Sequence, residues 1–222
     1  MIISLQGAAP IAVGHRRHVY QHPDDPGLLI KVMRADNRPR HWYHALWYRR
    51  LARTGPYATY MREFTECLAS RRYAKEPSPL VRIVGLVDTD IGLGLVAERV
   101  AGRDGDLAPS LAAMVREQGM TPAIASLINR LFDEVLRHYV IVSDLRAENV
   151  VHGTDSAGGP RLVIVDGFGP TNRLPLNGVS RRYDVRRTRR QFDRLRVQLA
   201  QLARQRDPLA VTAPAPSASR AG

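Results

Sequence analysis

A chain of 222 residues with 44% hydrophobic and 24% charged residues has ordinary globular composition, enough for one sizeable core or two small lobes sharing a cleft. No run approaches the roughly 20 apolar residues of a membrane span. Met1–Gly14 lacks the basic start of a secretory signal, and the single cysteine, Cys67, forms no internal disulfide, so the expectation is a soluble cytoplasmic protein. The net charge of +12 raises an anionic partner as an alternative to a merely solvated basic surface. Every basic residue except Lys31 and Lys75 is arginine, so a position that keeps lysine stands out.

In chain order, Ile11–Gly14 and His18–Gln21 read as extended segments around a basic turn. His22-Pro23-Asp24-Asp25-Pro26-Gly27 is dense in turn formers. Leu28–Met33 is a short apolar run holding one lysine, which suits a buried strand whose lysine needs a partner. Asn37–Arg53 reads as a helix with Trp42, Tyr43, Leu46 and Trp47 on one packing face, a base-stacking surface being the alternative. Tyr60–Tyr73 reads as a second helix with Met61, Phe64, Leu68 and Arg72 roughly on one face, Glu63 beside them, and Cys67 a buried structural thiol. Leu80–Val87 and Leu93–Val100 read as strands around Asp88-Thr89-Asp90-Ile91-Gly92. The two glycines of Ala101–Asp106 then mark a hinge.

Beyond the hinge, Pro122–Tyr139 carries the helical spacing of Ile124, Leu127, Ile128, Leu131, Val135 and Leu136. A hairpin follows around Gly158-Gly159-Pro160, with Leu162–Val165 as its second strand. Arg181–Arg204 reads as the last helix, and its arginines (181, 182, 186, 187, 189, 190, 194 and 196) outnumber the acids Asp184 and Asp193. The chain from Asp207 on, rich in Ala, Pro and Ser, reads as a disordered tail. The division expected is a sheet lobe at 1–101, a helical lobe at 102–206 and a tail at 207–222, an α+β class.

Two segments carry chemistry. Asp144-Leu145-Arg146-Ala147-Glu148-Asn149 is a D-L-x-x-x-N pattern followed by an apolar pair, and Leu162-Val163-Ile164-Val165 ends in Asp166-Gly167-Phe168-Gly169. Asn149 and Asp166 offer oxygen ligands to a hard cation such as Mg²⁺, which bridges phosphates. Asp144 is placed to accept a hydroxyl proton. The alternative is that these groups cap turns and that Lys31 extends its ammonium to solvent. His15, His18 and His22 have no tetrahedral metal spacing and read as exposed or turn residues.

These segments resemble the catalytic and metal loops of the protein-kinase superfamily. The resemblance implies a reduced bilobal kinase-like fold binding ATP and Mg²⁺. It implies Asp144 as catalytic aspartate, Asn149 and Asp166 as metal ligands, and Lys31 as the lysine on the α- and β-phosphates. Glu63 is then the ion-pair partner of Lys31, with Glu66 second in line. Gly14 and Val19 would lie against the nucleotide. More closely, Gly14-His15-Arg16-Arg17-His18-Val19-Tyr20, Ile30-Lys31-Val32-Met33, Arg62-Glu63 and Asp144-Leu145…Asn149 are similar to the bacterial YrbL family, labelled a PhoP regulatory network protein, over about residues 11–200.

The departures matter. Gly14 stands alone where three glycines are usual, and Arg16 and Arg17 either supply charge there or lie on a solvated loop. Val142 and Ser143 replace His-Arg, Arg146 replaces a lysine, Leu29 replaces a small residue over the base, and Gly167 is inserted after Asp166. The chain after Gly169 is too short for an activation loop and peptide platform. The function expected is an ATP- and Mg-dependent phosphotransferase of unknown acceptor. The rivals are a nucleotide-binding regulatory module with little turnover, and an Arg-rich nucleic-acid or partner-binding protein with its anionic partner at Arg181–Arg196.

Overall fold

The computed structural model describes residues 2–14, 16–34, 54–170 and 181–206. The expected helix Asn37–Arg53, His15 and the expected tail from Asp207 lie outside them. Within them the protein is α+β. Strands β1 (Ala12–Val13), β2 (Arg17–Gln21) and β3 (Leu28–Met33) precede helix α1 (Ala58–Ser70), and β4 (Ile83–Thr89) and β5 (Gly92–Glu98) follow it. The antiparallel sheet has the order β1-β2-β3-β5-β4, so β3 is its central strand. Helices α2 (Leu111–Gln118) and α3 (Pro122–Arg137), the hairpin β6 (Val150–Gly153) and β7 (Arg161–Ile164), and helix α4 (Arg181–Arg206) complete the chain. No helix among the described residues is long and apolar enough to cross a membrane.

The register of the sheet sorts its side chains by face. Lys31 pairs with Val19 on one side and Leu95 on the other, and period-two alternation puts Arg17, Val19, Lys31 and Leu95 on the same face. The opposite face carries Tyr20, Ile30 and Val32, covered by the N-terminal Ile3 and Leu5 in a small separate cluster. The larger cluster runs from Leu95 and Ala97 of the sheet through Tyr60 to Leu131, Phe192 and Leu195 of the helices. The two sheets are linked where the segment before β4 meets β7: Val81 donates to the Ile164 carbonyl and Ile164 to Pro79.

Helix α1 turns its apolar face outward and buries its polar side. Met61, Phe64 and Leu68 form its outer, exposed side, while Tyr60, Glu63, Glu66 and Ser70 are buried. The inner face is polar because it meets the buried Arg17 and the Ile141 amide, which two carboxylates satisfy better than apolar groups. Helix α2 is not announced by the sequence pattern. Ser110 caps it by accepting from Ala113 N, and Leu111, Ala112, Met114 and Val115 are buried. Helix α4 holds Phe192, Leu195 and Leu199 fully inside, each contributing roughly 1.5–3 kcal/mol.

Candidate functional site

The residues singled out in sequence come from four distant segments and meet at the end of β7. Lys31, buried on the central strand, donates from Nζ to the carbonyl of Val165 at 2.6 Å. Asp166 follows directly, and its Oδ1 accepts from Gly167 N at 2.7 Å. The Gly167 carbonyl in turn accepts from Ser143 N, Asp144 N and the Ser143 hydroxyl at 2.9, 2.8 and 2.9 Å. Asn149 closes the loop by donating Nδ2 to the Asp144 carbonyl at 3.2 Å, and among the described residues its amide oxygen takes no hydrogen bond.

Glu63 does not pair with Lys31 as expected. Arg17 of β2 takes it in a bidentate bridge, Nη1 to Oε2 at 3.0 Å and Nη2 to Oε1 at 2.7 Å. The same Nη2 reaches Asp166 Oδ1 at 2.5 Å. Arg17 is only 5% exposed, which rules out the solvated-loop reading for it. The planar guanidinium fork fits two carboxylates, which the compact ammonium of Lys31 cannot match. Tyr60 supports both cations: its hydroxyl donates to the Lys31 carbonyl at 2.8 Å, and its ring lies 6.0 Å from the Arg17 guanidinium carbon.

The electrostatics follow from this packing. Burial alone would raise the Asp166 carboxyl, but the Arg17 and Lys31 cations beside it hold it below the usual carboxylate range. Burial, reinforced by Arg17, pushes the Lys31 ammonium below its ordinary value against the opposing pull of Glu63 and Asp166. Arg17 stays firmly charged: burial works against the charge, and Glu63 and Asp166 more than offset it. Among the described residues no hydrogen bond or ion pair occupies Asp166 Oδ2, and no group of three or more His, Cys, Asp or Glu side chains gathers as a metal cage.

The remaining expected residues are placed as follows. Val19 sits half-buried beside Lys31 in the register. Gly14 is exposed in the turn between β1 and β2, its N–H on the Arg17 carbonyl at 2.8 Å. Among the described residues that bond is its link to the cluster. Asp144 is exposed and accepts from Arg146 Nε on Oδ1 at 3.0 Å. Glu66 lies one turn along α1, buried, and accepts from Ile141 N at 2.7 Å, so it positions the start of the Asp144 loop. His18 is half-buried beside Tyr20, and His22 caps its turn by accepting from Asp24 N. Burial pushes the Cys67 thiol up to about 12, which makes it unreactive.

The site of this α+β protein thus joins an aspartate loop and a second aspartate to a buried lysine of the antiparallel sheet, which bonds the carbonyl just before that second aspartate. The chain belongs to the family described as PhoP regulatory network protein YrbL, whose sequence model matches residues 3–200. It is 25% identical over 205 residues to the protein named "Uncharacterized protein YrbL" of Escherichia coli (strain K12), covering 90% of this chain and 89% of that one. The protein of the same name from Shigella flexneri matches with the same figures.

Proposed function

We propose that the protein is a phosphotransferase on a reduced, bilobal kinase-like scaffold, using ATP and Mg²⁺ to phosphorylate a hydroxyl-bearing acceptor. The observation that carries the reading is the convergence of Lys31, Asp144, Asn149 and Asp166 through hydrogen bonds to the backbone of 144–167. Asp166 Oδ2 and the Asn149 amide oxygen are hard oxygen donors, and a site of one or two protein oxygens completed by phosphates and water suits Mg²⁺. Magnesium, when bound, neutralises charge on the phosphates. Lys31 holds the phosphates by charge from the sheet side, Arg17 keeps Asp166 ionised, and Asp144 accepts the acceptor's hydroxyl proton.

The second reading, a nucleotide-binding regulatory module with little turnover, is favoured by one specific contact. Arg17 holds Asp166 Oδ1, which restrains a ligand the metal needs. The family description, which places its members in a regulatory network, agrees with that reading.

Melting curves and transfer assays test both. Saturating Mg·ATP at about 100 times its dissociation constant adds roughly 2.7 kcal/mol to stability, and ATP with EDTA adds much less. Asp144→Asn keeps nucleotide affinity within a few-fold and lowers transfer from labelled ATP by about 10²–10⁴. A flat melting curve at millimolar Mg·ATP overturns both readings, whereas a shift without transfer to any cell-extract component selects the second.

A further inference from the structure

Beside Asp144 the surface opens into a groove whose walls are the 143–148 loop and helix α4. One hollow of about 440 Å³ is lined by Asp144, Arg146, Gln191 and Arg194 among others. It shares Ser143, Gln191 and Arg194 with a second hollow of about 540 Å³ that reaches Tyr183, Arg186 and Arg190. Both are of the size that takes a small molecule.

The position of α4 against this loop is fixed by two glutamines. Gln191 Nε2 donates to the Ser143 carbonyl at 3.2 Å. Seven residues on, Gln198 accepts from Ala147 N at 2.9 Å and donates to Glu148 at 2.9 Å. Arg194 lies between these two attachments on the helix, so it is set in register with Asp144 by the fold itself. Arg186, Arg190 and Arg194 recur every four residues, one stripe spanning about 12 Å at 1.5 Å rise per residue. Among the described residues none of the three makes an ion pair, although Asp193 on the same helix pairs with Arg196 on another side. Like charges at this spacing repel, so the stripe is held at a cost that an anionic occupant removes.

We propose that this groove binds the acceptor, and that the acceptor is a small phosphorylated sugar or polyol. Arg190 and Arg194, with Arg186 behind them, bind its phosphate, and its free hydroxyl lies at Asp144. The proposal rests on the phosphotransferase reading for its chemistry and not for its binding. In the step, the hydroxyl oxygen attacks the terminal phosphorus of the nucleoside triphosphate and its proton passes to the Asp144 carboxylate. The bond from that phosphorus to the bridging oxygen breaks, and the diphosphate leaves with the electron pair. Asp144 Oδ1 is engaged by Arg146, so Oδ2 is the oxygen that takes the proton. The carboxylates of Asp144 and Glu148 line the same hollow as Arg194, and their charge opposes a continuous polyanion while leaving the arginine end for a compact anion.

The test is calorimetric titration of the full chain, without nucleotide, with inorganic phosphate, glucose 6-phosphate and glucose. It is repeated on Arg190→Gln/Arg194→Gln, on the charge reversal of the same pair, and on Arg182→Glu/Arg189→Glu, which changes exposed arginines outside the groove. The expected result is millimolar or tighter binding of both phosphates, none of glucose, and a loss of about tenfold or more in either groove variant. The outer variant should keep full affinity, and the groove variants should keep the Mg·ATP melting shift. Equal binding of glucose, phosphate binding unchanged in the folded Gln variant, or a matching loss in the outer variant overturns the proposal. So does a single-stranded RNA oligomer that outcompetes both phosphates at equal charge concentration. Arginine-dependent phosphate binding with no Mg·ATP shift supports the groove and defeats the phosphotransferase reading, so the two failures are separable.

Discussion

Gly167 holds a backbone φ of +81°, and a Cβ there would lie 2.1 Å from the Asp144 carbonyl oxygen. The residue inserted after Asp166 is therefore the point where the two chemical loops come into backbone contact, which no side chain permits. Gly167→Ala is expected to lose about 3 kcal/mol or more in urea unfolding, from left-handed strain of about 1–2 kcal/mol plus the collision with backbone. Gly158 has a comparable φ of +83° but open space at its Cβ, so Gly158→Ala should cost only the strain. Equal losses in the two variants would remove the close approach from the explanation. The sequence displayed Asp-Gly-Phe-Gly plainly but could not say which carbonyl the glycine covers, because that contact joins residues far apart in the chain. Arg17 was legible in principle. Alternation along β2 sets it on the face of Val19, and Val19 opposes Lys31; the adjoining basic turn hides this, because a turn arginine carries no alternation signal of its own.

Helix α1 shows where pattern reading fails at the level of an element. Its apolar residues mark one face plainly in the sequence, but the buried side is the row Tyr60, Glu63, Glu66 and Ser70. Burial raises the Glu66 carboxyl from 4.5 to about 7; Ile141 N opposes the rise by donating to it, and Asp184 adds to it. The folded protein therefore holds this proton more tightly than the unfolded chain does. The associated stability is full below pH 4.5 and is lost as pH rises through about 7. Glu66→Gln keeps an acceptor for Ile141 and cannot ionise. It should match the parent protein at about pH 5 and exceed it by about 1–3 kcal/mol at pH 8, read from melting curves at the two pH values. A constant offset across that range would show that Glu66 does not titrate there. Helix α2 escaped the sequence for another reason: eight residues show only two turns of periodicity, and its cap, Ser110, is common in loops as well.

On the scale of the whole molecule, Arg17 joins three parts of the chain: the sheet that carries it, α1 through Glu63 and the β7 end through Asp166. Removing one member of such a buried set leaves charge without a partner. Arg17→Met should cost about 3–5 kcal/mol in urea unfolding, and adding Glu63→Leu should recover part of that loss. If the double variant is worse by the sum of both single changes, the pair is not coupled. Apart from α2, the order of the described strands and helices, including the β6–β7 hairpin, is readable from turn residues and apolar runs because those signals are local. The joining of the two sheets and the polar partners were not, because they depend on contacts between residues such as Val81 and Ile164. One consequence concerns how such a protein can be controlled. Phe168 forms a bridge with Val142, Gly169 N donates to the Ile141 carbonyl, and the Gly167 carbonyl accepts three donors. A backbone excursion that pulled 167–169 away from the 141–144 loop would break these four bonds together. At about 1 kcal/mol each, the population so displaced is on the order of one molecule in a thousand. Control at this loop is then expected to come from what binds beside Asp166 rather than from displacement of the 167–169 backbone.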